Sequence, residues 1–233
     1  LNTHPEFPER AAEYIADETD LPFREADNHF EAQAAHDAMA EAHSALSVVA
    51  GSMNKIANDL RLLASGPRNG FGELDQPVIQ PGSSIMPGKI NPVVAEAVNQ
   101  VHKQVVGNDA AVSAGAAEGQ VDLNLYKPVL AHNYLESASM IANAAEVFGE
   151  RFVAKLEADE EHMQARVEQW MALATALNPA IGYDKASKVA KQALAEDKTI
   201  REVVIEEGYL TEAEADEVLD PEAMTHRVIL GQD

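Results

Sequence analysis

Residues 82–92 read GSSIMPGKINP. Two hydroxyls (Ser83, Ser84), an ammonium (Lys89) and an amide (Asn91) fall in this short stretch, directly ahead of a helical sequence. A plain surface connection accounts for the glycines and prolines. It does not account for the polar groups. A helix N-terminus presents free N–H groups at the positive end of its dipole, which favours anions. An ammonium and an amide beside it make an anion site, most simply for a carboxylate. A serine among free N–H groups and a lysine can be stabilised as an alkoxide and act as a base. On residue type alone Ser83 and Ser84 are equal candidates. The nucleotide-binding P-loop is disfavoured. It needs four residues between Gly and Gly-Lys, then Ser or Thr, after a strand. Here five residues separate Gly82 from Gly88, Ile90 takes the hydroxyl position, and no strand pattern precedes.

The elements that must hold this loop read almost entirely as helices. Pro5 and Pro8 open a short helix over 5–18. Asn28 is an N-cap candidate, and from His29 to about Ala64 there is no proline and a single glycine, Gly51. That pattern predicts one helix of about 50 Å. The stretch 66–92 is rich in Gly and Pro, and a connection of that length within a helical domain is usually functional or disordered. A second long helix is expected from Pro92, capped by Asn91, to about Ala117. A third is expected from Pro128 to about Ala158. Three long helices with long crossovers imply a bundle. After residue 160 the helices shorten, with Thr199 as one N-cap and Thr211 with Glu214 as a capping box. The expected architecture is all-α. Residues 1–160 form part of a long-helix bundle carrying the loop 81–92, and 161–233 a small helical domain. The apolar faces of the long helices exceed what so few partners can cover. His29, His36 and His43 recur every seven residues, about 10.5 Å apart along a helix. They are too far apart to share a metal and are expected to be exposed or at an interface.

Composition limits the possible partners. The 233 residues hold 39 Asp and Glu against 17 Lys and Arg, a net charge of −22. A dense negative surface argues against nucleic acid and anionic membranes. It also repels itself unless counterions screen it, so the chain reads as built for high salt, as in a halophile's cytoplasm. No apolar run approaches the roughly 20 residues of a membrane span. With no cysteine, disulfides and thiolate metal sites are excluded.

The loop closely resembles the signature of the fumarase/aspartase superfamily. LNTHPEF, NHFEAQAAHDA, KIANDLRLLASGPR, GELDQP and TALNPAIGYDKA are similar, in the same order, to class II fumarases. Gly88 before Lys89, Lys127 in LNLYKP, and IGYDKA resemble fumarase more than aspartate ammonia-lyase, the nearest alternative. A catalytically silent structural member of the superfamily, of the lens crystallin kind, is the other. The resemblance covers essentially the whole chain as the C-terminal half of such an enzyme, whose N-terminal half is expected to be missing.

The resemblance implies reversible anti addition of water to fumarate, giving L-malate, a step of the tricarboxylic acid cycle, with no metal or organic cofactor. It makes Ser83 the base, with loop N–H groups near Gly82 and Ser83 supporting its oxyanion. Lys89 and Asn91, with Ser84 nearby, bind the dicarboxylate. Glu96 matches the carboxylate that pairs with a catalytic histidine, although an acid in a helix's first turn is also favoured by the dipole alone. That histidine lies in the N-terminal half. Active sites are shared between the subunits of a homotetramer. The 233 residues alone are therefore expected to form no malate from fumarate in molar salt, and measurable turnover in a coupled assay would overturn this expectation.

Overall fold

A computed structural model describes residues 2–226. Leu1 and residues 227–233, which end the two expected domains, lie outside the described residues. The chain divides into two compact units. One comprises residues up to Arg61 together with Pro77–Lys155. The other comprises Leu62–Gln76 together with residues from Leu156 on.

The first unit contains α1 (Phe7–Thr19), α2 (His29–Ala34), α3 (Asp37–Leu63) as far as Arg61, α4 (Val93–Ala117) and α5 (Lys127–Arg151). Asn28 caps α2, its side chain accepting from the N–H groups of Phe30 and Glu31. The helix expected over His29–Ala64 is broken at Ala35, whose backbone is extended at φ −91°, ψ 136°. The cause is remote in sequence. In a continuous helix the Gln33 carbonyl would accept from the residue four places on. Here it accepts from the Asn124 N–H at 3.3 Å. The third long helix also stops before Ala158. It ends at Arg151, and a 3-10 turn (Val153–Lys155) follows.

Helices α4 and α5 pack closely, and α3 joins them through side-chain contacts. Ala50, Ala57 and Ala95 are buried, and Ala50 packs with Val105 and Ile141. His43 sits among them and corrects the expectation of an exposed or interface histidine. It is fully buried. Its Nδ1 bonds Asp109 at 2.8 Å and its Nε2 bonds Ser137 Oγ at 2.9 Å. Asn108 donates to the same Ser137 oxygen at 3.0 Å. One network thus ties all three helices, because a buried imidazole without partners is strongly unfavourable. Large apolar side chains on the outer faces remain exposed, among them Val48, Ile56 and Leu135.

The second unit contains β1 (Leu74–Asp75) paired antiparallel with β2 (Glu157–Ala158), then α6 (Glu160–Glu168), α7 (Asn178–Ile181), α8 (Tyr183–Glu196), α9 (Ile200–Glu206), α10 (Glu212–Val218) and α11 (Pro221–Met224). A 3-10 segment, Met171–Leu177, precedes α7. Leu173, Leu177, Val189, Ile200, Val203 and Leu219 form the centre of its core. The all-α expectation holds apart from that two-residue pairing. No helix among the described residues is long and apolar enough to cross a membrane.

Both expected caps in this unit form complete capping boxes, Thr199 with Glu202 and Thr211 with Glu214. The threonine backbone N–H bonds hold both glutamate carboxyls below their ordinary value of 4.5. A depressed carboxyl contributes stability above its unfolded pKa and loses it as pH falls through the native one. Thr199→Ala should lower stability by about 1 kcal/mol, read from thermal unfolding in molar KCl. Replacing Glu202 and Glu214 by Gln should flatten the loss of stability below pH 4.5 relative to the parent chain, measured as melting temperature against pH.

Candidate active-site loop

Residue 82 closes the loop from both of its peptide groups. The Gly82 N–H donates to the Lys89 carbonyl at 2.9 Å. The Asn91 side-chain amide donates to the Gly82 carbonyl at 3.0 Å. No side chain fits at this closure. A Cβ on Gly82 would lie 2.4 Å from the Lys89 carbonyl oxygen. Between these ties, Met86–Lys89 form a turn in which Lys89 N–H donates to the Met86 carbonyl at 3.3 Å. Pro87 takes its second position and Gly88, at φ +76°, its third. Proline followed by a positive-φ glycine is the residue order of a type II turn.

Asn91 is therefore not the cap it was expected to be. The N-cap of α4 is Pro92, without a side-chain bond, and the helix starts at Val93. A cap would use the Asn91 side-chain oxygen to accept from the first helical turn; the bond this side chain makes is instead a donation from its amide nitrogen to Gly82.

Ser83 is half-buried inside the closure and Ser84 is exposed. Ser83 Oγ accepts from the N–H groups of Ile85 (3.2 Å) and Met86 (3.1 Å). The N–H donors to Ser83 are thus on the residues after it. The Gly82 N–H itself donates to the Lys89 carbonyl. Two backbone dipoles aimed at one oxygen stabilise negative charge there. A cavity of about 540 Å³ adjoins, lined by residues 78–83 and 86–90 that include Ser83 and Lys89. Lys89 is exposed. Ser83, Lys89 and Asn91 are thus gathered by one loop, and Glu96 lies in the first turn of α4. The Glu96 carboxylate is 3.8 Å from the Arg61 guanidinium of α3. Sequence reading did not single out Arg61. The available signal was its seven-residue spacing from Asn54, which puts both on one face of α3. Among the described residues no cluster of His, Asp and Glu is placed to hold a metal ion.

The family model described as Lyase matches residues 1–107, and the one described as Fumarase C C-terminus matches 173–226. A class II fumarate hydratase of Halobacterium salinarum is 78% identical over all 233 residues, which cover 50% of that protein. Among solved structures, a fumarate lyase:delta crystallin from Brucella melitensis superposes with a TM-score of 0.92 at 41% identity, over 97% of this chain and 49% of that one. The class II fumarase of Schistosoma mansoni gives 0.88 at 33% identity, over 96% and 50%. These matches place the chain in the fumarase/aspartase superfamily. Within it, the chain belongs to the class II fumarase family. It spans about half the length of the relatives it matches.

The loop closure is directly testable. Gly82→Ala should open residues 82–91 to limited proteolysis and speed their amide exchange, while far-UV circular dichroism stays unchanged. Unaltered protection of the loop would show that the closure does not depend on residue 82.

Proposed function

We propose that this chain supplies the base and carboxylate-binding loop of a fumarate hydratase, which interconverts fumarate and L-malate in the tricarboxylic acid cycle. The observation that carries the reading is Ser83 Oγ held under two backbone N–H groups, in a loop that also presents Lys89 and Asn91. In the malate direction, Ser83 as alkoxide takes a proton from the carbon next to a carboxylate. The electron pair of that C–H bond passes into the carboxylate. It returns to form the double bond as the C–O bond breaks and water leaves with a proton from a donor group. The carbon acid is very weak, so the carboxylate must be stabilised as it gains charge. Lys89 supplies an ammonium. Asn91 has two amide hydrogens; one holds Gly82, and the other is available to the substrate.

The arrangement favours Ser83 over Ser84, because the two N–H donors serve Ser83 and its neighbour faces solvent. Glu96 is assigned to the partner histidine, which belongs to the part of the enzyme beyond these residues. The whole enzyme is read as a homotetramer with active sites shared between subunits. The exposed apolar side chains of α3 and α5 support that reading. Its acidic surface suits a salt-rich cytoplasm.

The aspartate ammonia-lyase alternative rests on the same loop and differs in product. The intact enzyme in molar KCl should form fumarate from malate and none from aspartate, followed by the absorbance of the double bond. Ammonia release from aspartate would replace this reading with the alternative. Ser83→Ala should lower kcat by about 10²–10⁴-fold in a folded enzyme, and near-normal turnover would exclude Ser83 as base.

A further inference from the structure

Glu96 does not stand alone on α4. It shares a face with Asn99, three residues on, and both point at α3. Arg61 of α3 reaches the pair with its two arms. Nη1 donates to Asn99 Oδ1 at 3.1 Å, and Nη2 lies 3.8 Å from Glu96 Oε1. The Asn99 oxygen is not free to turn away. Its Nδ2 is committed to Asn54 Oδ1 at 2.9 Å, and Asn99 is 9% exposed. Asn54 Oδ1 is held in turn by the Lys103 ammonium at 2.8 Å. Donors therefore converge on Asn54 Oδ1, from Lys103 on one side and from Asn99, which itself accepts from Arg61, on the other. Lys103 and Asn99 fix Asn54, Asn99 fixes the fork of Arg61, and the second arm of that fork faces Glu96.

The stability argument for such a set is weak. Arg61 and Glu96 are 40% and 39% exposed, and exposed ion pairs contribute little. A planar, preoriented guanidinium has another use. It fixes where a carboxylate points. We infer that Arg61 is a positioning residue for the hydration reaction, acting through Glu96 and oriented by Asn99. This inference rests on the proposed role of Glu96 toward the proton-donating histidine. A carboxylate that drifts from its partner by a fraction of an ångström loses rate without losing substrate affinity.

A double-mutant cycle on the intact enzyme tests this. Arg61→Met should lower kcat by about 10–100-fold while KM for malate changes less than about threefold, the pattern of an interaction made in the transition state. In a Glu96→Gln background the same substitution should produce no further loss. Arg61→Lys keeps the charge without the fork, so it should recover part of the rate in the wild-type background and none in the Glu96→Gln background. It also serves as the cycle partner where Arg61→Met fails to assemble. Equal rate losses in both backgrounds, or a rise in KM matching the fall in kcat/KM, would overturn the inference. So would a normal rate for Arg61→Met alongside a slow Glu96→Gln enzyme, with the reading of Glu96 left standing. A normal rate for Glu96→Gln would overturn that reading, and the inference with it.

Discussion

Absence of a side chain at residue 82 is what allows the loop to exist as a closed object. The Lys89 carbonyl occupies the space a Cβ would fill, and that carbonyl accepts the Gly82 N–H. With this contact made, the Gly82 carbonyl turns to the Asn91 amide, and the loop is tied at both peptide groups. Ser83 then follows a fixed glycine, and the turn at Met86–Lys89 returns the chain so that two N–H groups meet its oxygen. Lys89 is itself part of the closure, through its carbonyl. A looser connection with the same residues would present the same chemistry in no fixed arrangement, and preorganisation is where most electrostatic catalysis originates.

Polar groups inside the three long helices serve a comparable purpose. Helices with alanine at their contacts approach closely but do not choose a register well, because small apolar surfaces are interchangeable. His43, bonded to Asp109 on α4 and Ser137 on α5, accepts one alignment only. Any shift along an axis leaves buried polar atoms unpaired, at about 1–3 kcal/mol each. The hydrogen-bonded set of Lys103, Asn54, Asn99 and Arg61 lies along the same pair of helices, α3 and α4. The register that buries His43 is thus also the register that brings Arg61 opposite Glu96.

Sequence reading succeeded where the determining contacts are local. Asn28, Thr199 and Thr211 cap helices through groups two or three residues away, so their patterns are complete within a few letters. Reading failed where a distant residue competes for a backbone or side-chain group. The break at Ala35 depends on Asn124, and nothing near residue 35 announces it. Asn91 has the residue type and position of a cap, yet the side-chain bond it makes is a donation to a glycine nine residues earlier. His43 looked like one of three equivalent histidines, because its partners on α4 and α5 are visible only once the helices are paired. The loop itself was legible as chemistry from residue types, and as a family trait from its resemblance. The identity of the N–H donors on Ser83 was not legible, since that follows from the turn geometry.

The core of the C-terminal helices is drawn from one continuous stretch, Val167 to Met224. Its helices carry their own stop and start signals in two capping boxes. Contacts between near neighbours along a chain form quickly, because little loop entropy must be lost before they are made. The long helices of the first unit depend instead on pairings between residues far apart, such as His43 with Ser137. The C-terminal core can therefore form from contacts close in sequence, while the register that His43 sets must wait for residues far apart along the chain.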